Sequence, residues 1–385
     1  MTLILADPNL GLSSAGHHLS YSRAVVEAAA RRGLNARCVG HRAASAAGTL
    51  GLAVEPLFEY ALFTLLGRGQ TPDLTESFVF FNTRAAAAFS TLLAGCGPDD
   101  TLFLPSITHQ ELFGLALALA ATPAPQRPRI RICLRYHWQR DPAAARDYYR
   151  EALQALSDPA LRVALFSDTT ELAAYYATLT PCPIAVLPIP ARIAPTAVPD
   201  SPPVGPPIVG YLGEPRSNKG FFFLPPLVTA VPALHWRVQI AAPFALPPDY
   251  RACVEALRGQ PGVSLIDHDL DEAAYLALLG QCDIILIAYR PDDYRLASSG
   301  IFTEALAAAK VVVIPADTWM AREADRARAG AVCFSGYDAV SVIPALQSAA
   351  ATLPRLRDQA RACAPAWHDH HNPDRLVACV LEDVS

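Results

Sequence analysis

Eight prolines fall between Pro188 and Pro207, with little periodicity among the residues between them. Proline fixes its own φ and has no N–H to give to a ladder or a helix interior. The segment therefore reads as a stiff, extended connector. On both sides of it, short apolar runs alternate with stretches of helical spacing. That alternation predicts parallel sheets covered by helices. A connector between two such stretches predicts two separate units.

Before the connector, strands are expected at Thr2–Ala6, Ala36–Val39, Phe78–Phe81, Thr101–Leu104, Ile130–Arg135, Val163–Phe166 and Ile184–Leu187. Helices are expected over Gly16–Arg32, Asp141–Leu156 and Thr169–Ala177, the first ended by Gly33. After it, strands are expected at Ile208–Leu212, Trp236–Ala241, Val263–Ile266, Ile284–Ala288, Val311–Ile314 and Ala331–Phe334. Asn372 as N-cap, Pro373 at the first position and Asp374 in the first turn predict a last helix reaching Val384. The expected division is 1–190, a connector at 191–207, a second unit at 208–366, and a terminal segment at 367–385. A chain of 385 residues is long enough for two such cores.

Hydrophobic residues make up 52% of the chain and charged residues 17%, so apolar material for large cores is plentiful. A net charge of −5 gives no basic footprint for nucleic acid. Nine cysteines (Cys38, Cys96, Cys133, Cys182, Cys253, Cys282, Cys333, Cys363, Cys379) include no Cys-x-x-Cys pair, and most sit in apolar runs. That pattern predicts reduced thiols and a cytoplasmic protein. Met1 leads directly into an apolar strand, which predicts no secretory leader. The longest apolar stretch, Leu112–Ala121, falls short of the roughly 20 residues that span a bilayer. The composition leaves peripheral membrane contact open.

The run from Tyr294 to Lys310 carries the functional signal. A polar Ser298-Ser299-Gly300 turn separates an apolar strand from a helix that bears Glu304 about one turn in. A glycine-containing turn at a helix N-terminus favours anions, because unpaired N–H groups and the helix dipole both point there. A carboxylate one turn further along accepts hydrogen bonds from sugar hydroxyls. Phosphate together with ribose means a nucleotide. A second glycine-containing loop, Gly210-Tyr211-Leu212-Gly213-Glu214-Pro215-Arg216-Ser217-Asn218-Lys219-Gly220, follows the first strand after the connector.

These two segments resemble the donor-binding region of retaining glycosyltransferases of the GT-B fold, family 4 type. The resemblance covers most of the second unit. It implies two doubly wound Rossmann-like domains facing a cleft, with the acceptor on the first and a nucleotide-diphosphate sugar on the second. It also implies a terminal helix that returns to the first domain. Arg216 and Lys219 match the cations that neutralise the donor diphosphate and stabilise the leaving group. Gly213 matches the loop glycine, although Glu214 stands where the family often has arginine. Glu304 matches the carboxylate that binds the ribose. The family's first glutamate, eight residues earlier, is replaced by Leu296.

Arg295, Ser298, Ser299 and Gly300 are further donor-side candidates, for sugar or phosphate. His268 and Leu270 lie in the loop that corresponds to the base site, where backbone groups do the holding. In the first unit, Gly16 and His17 match a glycine loop near the diphosphate and acceptor. His17 suits either a phosphate or an acceptor hydroxyl. His137, after a strand, matches a catalytic histidine beside the donor sugar, and His109 a less specific acceptor-side position.

The resemblance implies no metal and no cofactor beyond the donor substrate. His368, Asp369, His370 and His371 read as a polar loop before the last helix. Asp267-His268-Asp269 falls in the base loop and is not taken as a metal motif. The expected activity is transfer of a sugar to a glycan, lipid or protein acceptor. The missing first glutamate leaves a second reading, a scaffold that binds a nucleotide sugar or glycan without transfer. An epimerase on the same fold ranks last, because no paired cleft carboxylates stand out.

Overall fold

The computed structural model describes residues 1–11, 17–44, 49–60, 74–136, 142–193, 205–241 and 246–382. They form two compact units, Met1–Pro190 with Pro373–Ser385, and Ala191–Asn372. Residues 194–204, most of the proline-dense connector, lie outside the described residues.

Unit 1 holds a parallel sheet of seven strands: β1 (Thr2–Ala6), β2 (Asn35–His41), β3 (Val54–Phe58), β4 (Thr101–Leu104), β5 (Arg129–Cys133), β6 (Val163–Ser167) and β7 (Ile184–Val186). Their order is β3-β2-β1-β4-β5-β6-β7. Unit 2 holds six: β8 (Ile208–Tyr211), β9 (His235–Gln239), β10 (Val263–Ile266), β11 (Ile284–Leu286), β12 (Val311–Pro315) and β13 (Ala331–Phe334), in the order β10-β9-β8-β11-β12-β13. Each sheet starts in its middle, winds outward one way, then restarts on the other side. The reversal falls between β1 and β4 in one and between β8 and β11 in the other. Loops at the carboxyl ends of such neighbouring strands diverge and leave a crevice, the usual ligand position in open α/β sheets.

Helices cover both faces, so the central strands read as unbroken apolar runs. All five residues of β12 are buried. Capping side chains set where several helices begin. Thr169 accepts from Leu172 N–H at 3.0 Å, and Asp271 from Ala274 N–H at 2.8 Å. The helix Pro373–Leu381 belongs to unit 1. Its Leu376, Val377 and Val380 join the core formed with Leu3, Leu5, Val25 and Phe103, and Arg31 holds Asp374 through two hydrogen bonds of 3.2 and 3.0 Å. Residues 367–372, grouped by sequence with that helix, fall in unit 2.

Two expected elements are corrected. Phe78–Phe81 is not a strand but part of the helix Leu74–Ala94. Phe81, Ala85, Phe89 and Leu92 are all buried, at helical spacing, so the face they form overrides the strand preference of a short aromatic run. His368–His370 is not a loop either. It forms the last turn of the helix Leu353–His370, which runs on past an internal Pro365. Strand β3 was not anticipated; two of its five residues, Glu55 and Pro56, are exposed, as suits the edge of a sheet. No described helix is long and apolar enough to cross a membrane.

Candidate active site

The loop after β8 folds against the start of the helix Gly300–Ala307. Gly213 has φ +103°, donates its N–H to Gln239 Oε1 at 2.9 Å, and lies so near Ile301 that a Cβ would sit 3.0 Å from Cδ1. A single 3-10 turn, Ser217–Lys219, then ends in the left-handed Gly220. Added there, a Cβ would lie 2.4 Å from the carbonyl oxygen of Ala288, beyond β11, so glycine permits this approach. Backbone bonds complete the seam. Arg290 donates its N–H to Asn218 C=O at 2.8 Å, and Asn218 Nδ2 donates to Asp293 at 2.9 Å. The two loops flanking the point of strand reversal are thus stitched into one surface. The Tyr289–Arg295 stretch contains a short helix at Pro291–Tyr294.

Lys219 is held on that surface with its ammonium 5.4 Å from the centre of the Tyr289 ring. Among the described residues its ammonium has no hydrogen bond or ion pair. Burial, and then the nearby Arg216 charge, push its pKa down to about 8. Tyr289 in turn shares a hydrogen bond with Ser299, the N-cap of the helix Gly300–Ala307. Ser299 accepts from Phe302 N–H at 3.3 Å, and Thr303 N–H bonds to Ser299 C=O at 3.0 Å. The N–H groups of Gly300 and Ile301 find no acceptor among the described residues. An incompletely paired ammonium and two open N–H groups at a helix N-terminus make a place for an anion.

Arg216 is placed differently. It is exposed and engages Glu214, with Nε 2.8 Å from Oε2. Glu214, the residue that departs from the family pattern, therefore occupies the very cation it precedes. Arg295 is also exposed, bonded to Asp292 at 3.2 Å. Ser298 is half-buried and Gly300 exposed.

Glu304 lies one turn into the helix and is half-buried. Its Oε2 accepts from the Tyr275 hydroxyl at 2.6 Å. Burial pushes its pKa up to about 7, against the opposing effect of the Tyr275 bond. Behind it, Trp367 donates to Thr303 C=O at 3.0 Å and its ring meets Phe302 edge-on, which locks the helix from its core side. His268 (exposed) and Leu270 (half-buried), expected at a base loop, follow β10 and precede the helix Glu272–Gln281, which carries Tyr275. Sequence reasoning did not find Tyr275 or Gln239 as site residues. Each reaches its partner across the fold, with no local pattern to mark it.

In unit 1, Gly16 and His137 lie outside the described residues. His17 opens the helix His17–Arg31. Its neighbour His18 is tied to buried Asp7, just past β1, at 2.7 Å. His109 was expected to face an acceptor, but it is fully buried. Its ring packs near those of Tyr148 and Tyr149, and burial lowers its pKa to about 4. It is a core side chain that a bulky acceptor does not reach. Among the described residues no group of three or more His, Cys, Asp or Glu side chains is gathered as a metal site would need.

No protein-family profile matches the chain, and no curated protein does. Solved structures do. A sucrose-phosphate synthase from Thermosynechococcus elongatus superimposes with a TM-score of 0.70 at 14% identity, over 98% of this chain and 97% of that one. A glycosyltransferase from Rickettsia africae gives 0.66 at 13% identity, over 100% and 99%. HepE of Anabaena, in complex with UDP-glucose, gives 0.65 at 13%, over 98% of each chain. The fold is therefore the GT-B type that the resemblance implied.

Proposed function

We propose that the protein is a glycosyltransferase that takes a nucleotide-diphosphate sugar as donor. The observation that carries the reading is Lys219, a partly desolvated ammonium without a carboxylate partner, at the strand-reversal point of unit 2 and beside the open N-terminus of the helix Gly300–Ala307. An uncompensated cation is costly in isolation and becomes favourable when an anion arrives. In this reading Lys219 and the helix N-terminus receive the diphosphate. Glu304 accepts from the ribose hydroxyls. Arg216 adds charge from the rim, where Arg295, Ser298 and Ser299 are further donor contacts. His268 and Leu270 border the base.

The chemistry proposed is transfer with retention at the anomeric carbon. The glycosidic bond to the leaving diphosphate breaks as the acceptor hydroxyl attacks from the same face, and a leaving phosphate oxygen takes the hydroxyl proton. Lys219 and Arg216 stabilise the charge that builds on that phosphate. In this scheme no protein carboxylate attacks the sugar, so Leu296 in place of a glutamate is compatible with turnover. No metal is required by the scheme. His17 and His137 remain proposed contacts to the acceptor and the donor sugar.

The test is a panel of nucleotide sugars, each incubated with and without glycan, lipid and peptide acceptors, with free nucleoside diphosphate as the readout. Acceptor-dependent release that survives a chelator supports metal-independent transfer, and the anomeric proton coupling of the product decides retention. Binding without release under every condition would favour the scaffold reading, which Leu296 motivates.

A further inference from the structure

We infer that Tyr275 is a positioning residue for the donor: it fixes the Glu304 carboxylate in one orientation and keeps it in the charged form that grips the ribose diol. The inference rests on the reading of unit 2 as a nucleotide-sugar site and goes beyond it in naming a residue and a pH response. The geometry is specific. The Tyr275 hydroxyl donates to Oε2 of Glu304 at 2.6 Å, while Oε1 accepts nothing from the described residues. One oxygen is anchored and the other left for a ligand. A carboxylate anchored in this way loses no rotamer freedom on binding, so the diol meets a prepared acceptor. Tyr275 sits on the first turns of the helix that follows the base loop, so the same element borders the base site and aims the ribose acceptor.

The bond also bears on charge. A hydrogen bond donated to a carboxylate favours its ionised form, and here it opposes burial, which holds Glu304 at about 7. Burial keeps Tyr275 itself protonated, with its pKa well above the usual tyrosine value, so it stays a donor across the physiological range. The other groups around the pair are few. Glu272, on the same helix as Tyr275, faces Glu304 but is occupied by Arg192 at 2.8 Å. Tyr289, three residues past β11, and Cys282 border the two side chains and are neutral with raised pKa values. Lys219 belongs to the diphosphate end and titrates above Glu304.

The experiment is calorimetric titration of the full-length protein with UDP-, ADP- and GDP-glucose between pH 6 and 9. These diphosphate diesters have no phosphate that titrates in that range. Wild type, Tyr275→Phe and Glu304→Gln are compared for the donor that binds most tightly. The expected result is that Tyr275→Phe moves the acid limb of affinity upward by about one pH unit. Its loss relative to wild type would then approach about tenfold at pH 6 and nearly vanish at pH 9. Glu304→Gln should have no acid limb. An equal loss at every pH with the limb unmoved, or no change at all, overturns the role of Tyr275 while leaving the donor site standing. Failure of wild type to bind any of the three overturns both.

Discussion

Units 1 and 2 share a strand order and a point of reversal, yet their carboxyl edges are wired in opposite ways. Among the described residues of unit 1, two buried carboxylates at that edge are bonded within the protein. Asp7 holds His18 at 2.7 Å, and Asp168 holds Arg135 at 2.9 Å, both carboxylates being buried. The Arg135 guanidinium also lies 5.1 Å from the Tyr21 ring centre. In unit 2, among the described residues, the matching edge gives the Lys219 ammonium no anion and Glu304 a single hydrogen bond, from Tyr275. Over the described residues, the same scaffold is thus self-compensated in one copy and electrically open in the other.

The sharpest way to break that comparison is to unpair unit 1. Asp168→Ala strands the Arg135 charge, which is only 13% exposed. Removing one partner of a buried pair costs about 3 kcal/mol or more. Hydrogen exchange resolved by peptide should show the loss confined to unit 1. Lys219→Ala should do the opposite, leaving exchange in unit 2 unchanged or slower, because it deletes a charge the fold does not compensate. Equal destabilisation by the two changes would erase the distinction.

The next effect is on binding. If Lys219 meets the diphosphate as proposed, Lys219→Ala removes a charge-assisted contact worth roughly 1.5–3 kcal/mol, or about one to two powers of ten in donor affinity. Titration with a nucleotide sugar near pH 7.5 reads it. Wild-type affinity would detach Lys219 from the diphosphate.

In the proposed site, Lys219 and Glu304 also set a pH window. Glu304 has a raised pKa of about 7, and it must be ionised to accept from a diol, so affinity should fall below that pH. Lys219 has a lowered pKa of about 8, and it must be charged to meet a phosphate, so affinity should fall above that pH. Donor affinity therefore peaks between the two. Because Lys219 is harder to charge in the folded state than in the unfolded chain, the apo protein should gain stability as pH rises through 8, while donor affinity falls. Glu304→Gln should abolish the acid limb, and because burial raises the Glu304 pKa and makes its ionised form a cost to the fold, it should raise the thermal midpoint of the apo protein above pH 7 rather than lower it. A flat profile in wild type would contradict both assignments.

What the sequence reveals follows from what is local. Buried parallel strands such as Val311–Pro315 announce themselves as apolar runs, and a Ser-Ser-Gly turn before a helix marks an N-terminus within a residue or two. The four residues Phe78–Phe81 mislead because a run that short fits strand or helix, and only the face continued through Ala85, Phe89 and Leu92 decides. His109 misleads because a histidine at a strand's carboxyl end has the same letters whether it faces solvent or core. The site itself is half legible. Lys219, Gly213 and Glu304 lie in local motifs, but the Tyr275–Glu304 bond spans 29 residues of chain with no periodicity to report it. Glu214 was legible as a departure, and its consequence was not.

That consequence gives the smallest effect. Arg216 and Glu214 form an exposed pair, with side chains 55% and 50% accessible, and such pairs are worth about 1 kcal/mol or less. To serve a diphosphate, Arg216 has to share or leave Glu214, so part of its attraction is already spent. Arg216→Ala should therefore cost donor affinity less than Lys219→Ala, about 1 kcal/mol, and some of that cost arises because Glu214 is left facing the phosphate as a bare carboxylate. Glu214→Gln alone should tighten binding slightly by freeing Arg216. The double variant should bind better than Arg216→Ala, because the repulsion goes with the carboxylate. A double-mutant cycle on donor affinity reads the coupling directly. If the two changes simply add, Glu214 does not restrain Arg216, and the arginine belongs to the solvated rim and not to the diphosphate site.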